Sequence, residues 1–147
     1  MAAGKFTVLN VALAKMTDGT IRVGVDGLKL ALCEAAEALS ATWTGTSGDG
    51  LYSDLGAEVT GPGYTAGGVD LDVSVSQNTG VLSVSADPSV WTGVTITAKF
   101  GVVYKATGDL DVLGFFDLET SDPAGRVVTA SDLTISWPND LLTLTRT

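Results

Sequence analysis

The chain has 147 residues, enough for one domain with its own core, and it carries no histidine and a single cysteine, Cys33. The missing imidazoles exclude Ser-His-Asp and Cys-His catalysis, His-ligated zinc and imidazole pH switching, and the lone thiol excludes an intrachain disulfide. With 17 acidic against 8 basic residues the net charge is −9, and the basic residues stand singly, so no nucleic-acid partner is expected.

Hydrophobic residues make up 45% of the chain, yet no apolar run approaches the roughly 20 residues of a membrane helix, so no membrane partner is expected either. Surplus apolar area without a membrane span points to subunit contacts. In chain order, residues 1–15 place Lys5 ahead of a short apolar stretch. Asn10 and Lys15 interrupt that stretch, which argues against a secretory leader despite Ala12-Leu13-Ala14, and a first β-strand is expected. Residues 28–32, LKLAL, lead to Cys33, read as a small buried thiol. Residues 33–40, CEAAEALS, are Ala/Glu-rich and predict the one short helix, about two turns long. Residues 41–49 read as loop.

Residues 51–75 are the most distinctive stretch. Tyr52, Asp54, Glu58 and Tyr64 stand among Gly61, Gly63, Gly67 and Gly68 in a loop that leads into a strand. A phosphate loop is excluded, because no Gly-Lys-Ser/Thr follows. The glycines read as turns that need positive φ and leave room for a neighbouring backbone, with Tyr64 as a packing anchor and Asp54 and Glu58 as hydrogen-bonding carboxylates.

Strands dominate the remainder. Residues 91–105 read as the clearest strand, with period 2 sustained over twelve residues: Val94, Ile96, Ala98, Phe100, Val102 and Tyr104 share one face, and Thr95, Thr97, Lys99, Gly101, Val103 and Lys105 share the other. Gly101 reads as a bend on the polar face. Residues 82–86, 109–112, 133–137 and 142–145 repeat the alternation, and Thr107-Gly108 predicts a hairpin turn. Asp18-Gly19, Asp26-Gly27, Asp49-Gly50, Thr79-Gly80 and Ala124-Gly125 supply further turns. The expected fold is mainly β: a single β-rich domain over residues 1–147, an antiparallel β-sandwich or barrel with one short helix.

Carboxylates are the only catalytic currency. Asp70/Asp72 and Asp109/Asp111 have the i, i+2 spacing that puts both members on one strand face, as a cation site or an acid pair for glycoside hydrolysis requires. Their apolar neighbours favour a solvated strand face instead. Asp117, Glu119 and Asp122 around Phe115-Phe116 read as a loop calcium site or, preferably, a solvated hairpin end. Trp43, Tyr52, Tyr64 and Trp91 could stack on sugars; the competing reading makes Trp91 and Tyr104 core anchors and packs Tyr64 over the glycine loop. No nucleophile has a positioned base. No catalytic, cofactor-binding or metal-binding residue is assigned, and Tyr52, Asp54, Glu58, Gly63, Tyr64, Gly67 and Gly68 are read as a structural or contact loop.

A series of short motifs carries a resemblance. Phe6-Thr7, residues 28–32, Tyr52-Ser53-Asp54, Glu58-Val59-Thr60-Gly61, the GYTAGG of residues 63–68, residues 91–99 and residues 133–138 occur in an order that resembles a family of small virion structural proteins of tailed bacteriophages, described as head-decoration, cement or fibre proteins. The resemblance spans residues 6–144. It implies a β-rich protein without enzymatic activity or cofactor, made in the host cytoplasm, bound to the major capsid protein on the capsid surface and self-associating, as a trimer. Its alternative implication is a tail- or fibre-associated module that binds a receptor or carbohydrate.

Overall fold

A computed structural model describes residues 3–145. Among the described residues the strands are β1 (Thr7–Val8), β2 (Leu28–Cys33), β3 (Val69–Leu71), β4 (Val73–Asn78), β5 (Val81–Ala86), β6 (Ser89–Ala98), β7 (Phe100–Lys105), β8 (Val112–Asp117), β9 (Arg126–Ile135) and β10 (Leu142–Thr145), with one α-helix, α1 (Asn10–Thr17). Three antiparallel sheets result: a five-stranded sheet in the order β1-β8-β7-β2-β3, a three-stranded sheet β10-β5-β4, and the pair β6-β9. The protein is mainly β and sandwich-like.

The helix is not where the composition puts it. Of the stretch expected to be a first strand, the described residues from Ala3 on give a two-residue strand before α1 begins, and residues 1–2 lie outside the described residues. Ala12, Leu13, Ala14, Lys15 and Met16 are all strong helix formers, and that local preference prevails. The helix ends at Asp18, and Gly19 follows at φ +85°, the left-handed stop that glycine supplies. Residues 33–40, expected to be helical, contain a single 3₁₀ turn, Ala35–Glu37, closed by Ala38 at φ +50°. Cys33 is paired with Phe100 as the last residue of β2, so the segment starts as strand and too little of it is left for a two-turn helix.

The long run at residues 91–105 is two strands, not one. It breaks at Lys99, and β6 and β7 belong to different sheets. Lys99 makes the corner: its N–H donates to Cys33 O (2.8 Å), and its own carbonyl accepts from Leu118 N–H (2.8 Å). The period-2 reading holds on β6 from Val94, where Val94, Ile96 and Ala98 are buried and Thr95 and Thr97 exposed; between Trp91, also buried, and Val94 the register shifts and the alternation slips. It fails on β7, where Gly101, Val102, Val103 and Tyr104 are all buried. The centre of the five-stranded sheet is covered on both faces, and Gly101 is required there, since a Cβ would stand 2.2 Å from the Phe116 ring. Tyr104 and Val112 flank the β7–β8 connection that carries Thr107-Gly108.

Leu30, Leu32, Val102, Val103, Phe116 and Ile135 lie at the centre of one continuous core. Cys33 is fully buried within it, and burial pushes its thiol pKa far above the usual range. Among the described residues no helix is long and apolar enough to cross a membrane.

Candidate functional site

The loop of residues 51–68 closes on Glu58. Its Oε2 accepts a hydrogen bond from Tyr52 Oη (2.5 Å), and its Oε1 accepts from Tyr64 Oη (2.8 Å) and from Gly67 N–H (2.7 Å). Two further bonds tie this knot to the sheet. Leu32 N–H in β2 donates to Tyr64 Oη (3.0 Å), and Tyr104 Oη in β7 donates to Gly67 O (2.7 Å). The Tyr52 and Tyr104 rings stack with centroids 4.4 Å apart. All three tyrosines of the chain therefore converge on one carboxylate and the glycine turn beside it.

Burial and the adjacent Glu58 charge hold each phenol in its neutral form. Tyr104 is pushed up to about 12, and Tyr52 and Tyr64 higher still, because desolvation opposes the phenolate and Glu58 adds like-charge repulsion. A phenol held protonated at every physiological pH is a donor and not a base. The knot is thus built to fix backbone rather than to move protons.

Glycine serves the knot at Gly68. Its φ is +71°, and a Cβ there would lie 1.9 Å from Leu30 O, so the loop backbone lies directly on β2. Gly63, at φ +81°, rests on Gly93 and Val94 of β6 with closest approaches of 3.0 Å. Gly67, at φ +92°, has room beside it, 3.4 Å from Tyr104 Oη.

Asp54 organises a separate turn. Its carboxylate accepts from Ser47 Oγ (2.6 Å), Thr46 Oγ1 (3.1 Å) and the N–H groups of Ser47 and Leu51 (3.1 and 3.0 Å). The Ser47 hydroxyl and these backbone donors hold its pKa below the usual carboxylate value.

The remaining acidic candidates separate. Asp70 is exposed, with Lys29 at 3.9 Å, and Asp72 is exposed beyond the end of β3. Asp109 is exposed, but Asp111 does not lie on a solvated face: it is 3% exposed and paired with Lys15 of α1, whose Nζ also donates to Asp49 O (2.6 Å). Leu110 at φ +59° breaks the alternation that predicted an exposed pair. At residues 117–122 the place of a cation is taken by the Lys99 ammonium. Its Nζ lies 3.0 Å from Asp117 Oδ2 and donates to the carbonyls of Glu119 (2.5 Å) and Asp122 (3.0 Å). Among the described residues no three Cys, Asp or Glu side chains converge on a metal position.

The aromatic platform is dismantled in the same way. Trp91 is buried and Tyr64 stacks against it at 6.4 Å, while Tyr52 faces Tyr104. Trp43 alone borders an open hollow, with Glu37, Thr42, Thr44 and Asp54. Reading the sequence misses Lys15, Asp111 and Lys99 as structural centres. The only signal for Lys99 was a lone ammonium inside a strand run, followed 18 to 23 residues later by three carboxylates.

Comparison with known protein families, with characterised proteins and with solved structures finds no match to this chain.

Proposed function

We propose that this protein is a structural component of a tailed-bacteriophage virion, a capsid decoration (cement) protein that stabilises the head as a homo-oligomer and has no enzymatic activity. The observation that carries the reading is the fate of the GYTAGG element, the most specific part of the resemblance. Tyr64, Gly67 and Gly68 spend their polar groups and their backbone freedom on fastening a loop to β2 and β7. Such an element serves rigidity and shape. The buried carboxylate Asp111 and the buried ammonium Lys99 are likewise internally paired. Cementing needs no strong single contact, since many copies spread over a lattice gain affinity through effective concentration.

Quantitative mass spectrometry of purified virions tests this directly. A cement protein is expected at a copy number comparable with that of the major capsid protein, together with binding to emptied capsids. A copy number matching the tail or fibres, or absence from virions, overturns the capsid assignment.

A second reading, a fibre-associated carbohydrate-binding module, draws on Trp43. It is half-buried beside the hollow that Glu37, Thr42, Thr44 and Asp54 share, an aromatic face next to hydrogen-bonding groups. Glycan-array binding that disappears in Trp43→Ala while folding is retained is the result expected of that module; a silent array removes it.

A further inference from the structure

The three-stranded sheet is an arm unlike the rest of the surface. By register, Val73, Val75 and Gln77 of β4, Ala86, Val84 and Leu82 of β5, and Leu142 and Leu144 of β10 lie on one face. Serines and threonines occupy most of the other. The protein's own core covers the apolar face at Val84, but Val75 and Leu144 are 45% and 54% exposed. Gly24 lies against Val75, and the adjacent Val25 is 71% exposed. No residue of 73–86 or 142–145 is charged, in a chain of net charge −9.

The edge of this arm is open. Among the described residues β4 pairs only with β5. Thr79 and Gly80, at φ +48° and +81°, form the two-residue turn, so Asn78 and Val81 close the ladder, and Asp87 N–H donates to Asp72 O at its other end. By alternation Ser74 and Ser76 bond to β5, and the N–H and C=O groups of Val73, Val75 and Gln77 face outward. Strand edges are normally blunted by charge, proline, a bulge or short length. β4 has six residues, an unbroken register and none of those devices.

A second copy of this chain is the occupant that charge selects. The acidic remainder of the surface repels a copy, whereas the neutral strip does not. A strand meeting itself about a two-fold axis is also self-complementary. We infer that two copies join antiparallel through their β4 edges, centred on Val75, so that Val75 opposes Val75 of the second copy and Val73 opposes its Gln77. The two arms become one six-stranded sheet, and the two exposed valines meet. The inference rests on the proposed self-association and deepens it. It makes a dimer the assembly unit, in place of the trimer that the resemblance implies.

The test uses the full-length protein. Light scattering is expected to give twice the chain mass. Val75→Cys is expected to form a disulfide-linked dimer under mild oxidation, because opposed Cα atoms at such a position are about 5.5 Å apart, within disulfide reach. Cys33 is fully buried and does not compete. Gln77→Pro removes an outward N–H and leaves the β5 ladder intact, so the dissociation constant should rise roughly 10-fold or more while the circular dichroism of the diluted protein is unchanged. A monomer at every concentration, a trimeric mass, or a dimer that neither cross-links through Val75→Cys nor responds to Gln77→Pro overturns the inference. That last outcome moves the contact elsewhere and leaves the virion reading intact. Absence from virions removes the virion reading and leaves the dimer untouched.

Discussion

Gly68→Ala is expected to lower the melting temperature by roughly 15 °C or to prevent folding, whereas Gly67→Ala should lower it by only about 4 °C. The two glycines are adjacent and both have positive φ, so both substitutions meet the backbone penalty of about 1–2 kcal/mol for an L-residue in the left-handed region. They differ in what the new methyl meets. At Gly67 the nearest atom, Tyr104 Oη, is at ordinary contact distance, 3.4 Å. At Gly68 the methyl would overlap the Leu30 carbonyl at 1.9 Å and crowd Ala31 Cα at 2.8 Å. Both are main-chain atoms of β2, which is paired on both sides with β7 and β3, and cannot rotate away. Overpacking of that kind adds a further ~1–3 kcal/mol, so about 4 kcal/mol in total separates Gly68→Ala from wild type. Thermal unfolding followed by circular dichroism decides it. Equal losses for the two variants would mean that φ alone, and not contact with β2, explains the glycines.

That contrast also shows how much the sequence disclosed. A Gly-rich loop beside a strand was legible as tight turns, but which glycine touches backbone depends on strands distant in the chain: β2, more than thirty residues earlier, for Gly68, and β6 for Gly63. The alternation of residues 82–86 and 142–145 was legible because those strands keep one wet face. β2 and β7 are neighbouring inner strands whose residues are buried on both faces, so period 2 does not separate a wet face from a buried one. The strand break at Lys99 was hidden for a related reason. A lysine on the polar side of an alternating run looks solvated, and only the returning loop at residues 118–125 surrounds it with carbonyls. The expected helix at 33–40 and the actual helix at 10–17 have similar intrinsic preferences. Tertiary pairing of Cys33 decided between them.

Within the knot the expectation that Glu58 is a hydrogen-bonding carboxylate understated its position. Glu58→Ala should cost about 3 kcal/mol, roughly 10 °C of melting temperature, because Tyr52, Tyr64 and Gly67 would all lose their acceptor in a half-buried site. Glu58→Gln keeps an acceptor oxygen but loses the charge-assisted strength, and about half that loss is expected. Alkaline titration supplies an independent check with a defined sign. A tyrosine in the unfolded chain ionises near pH 10, whereas burial and Glu58 raise the folded values, Tyr104 to about 12 and its two partners further. A neutral form favoured by folding confers stability that is complete below the unfolded pKa and is lost as pH rises through the window up to the folded pKa. Wild type should therefore hold its stability up to about pH 10 and lose it between about pH 10 and 12. Because every tyrosine of the chain belongs to the knot, the tyrosinate absorbance should stay silent until the protein unfolds and then rise together with the loss of circular dichroism. In Glu58→Gln the removal of the negative charge should bring that rise to lower pH. Tyrosinate that appears gradually near pH 10 in a still-folded protein would mean that the phenols are solvated and that the knot does not fasten this loop to the sheet.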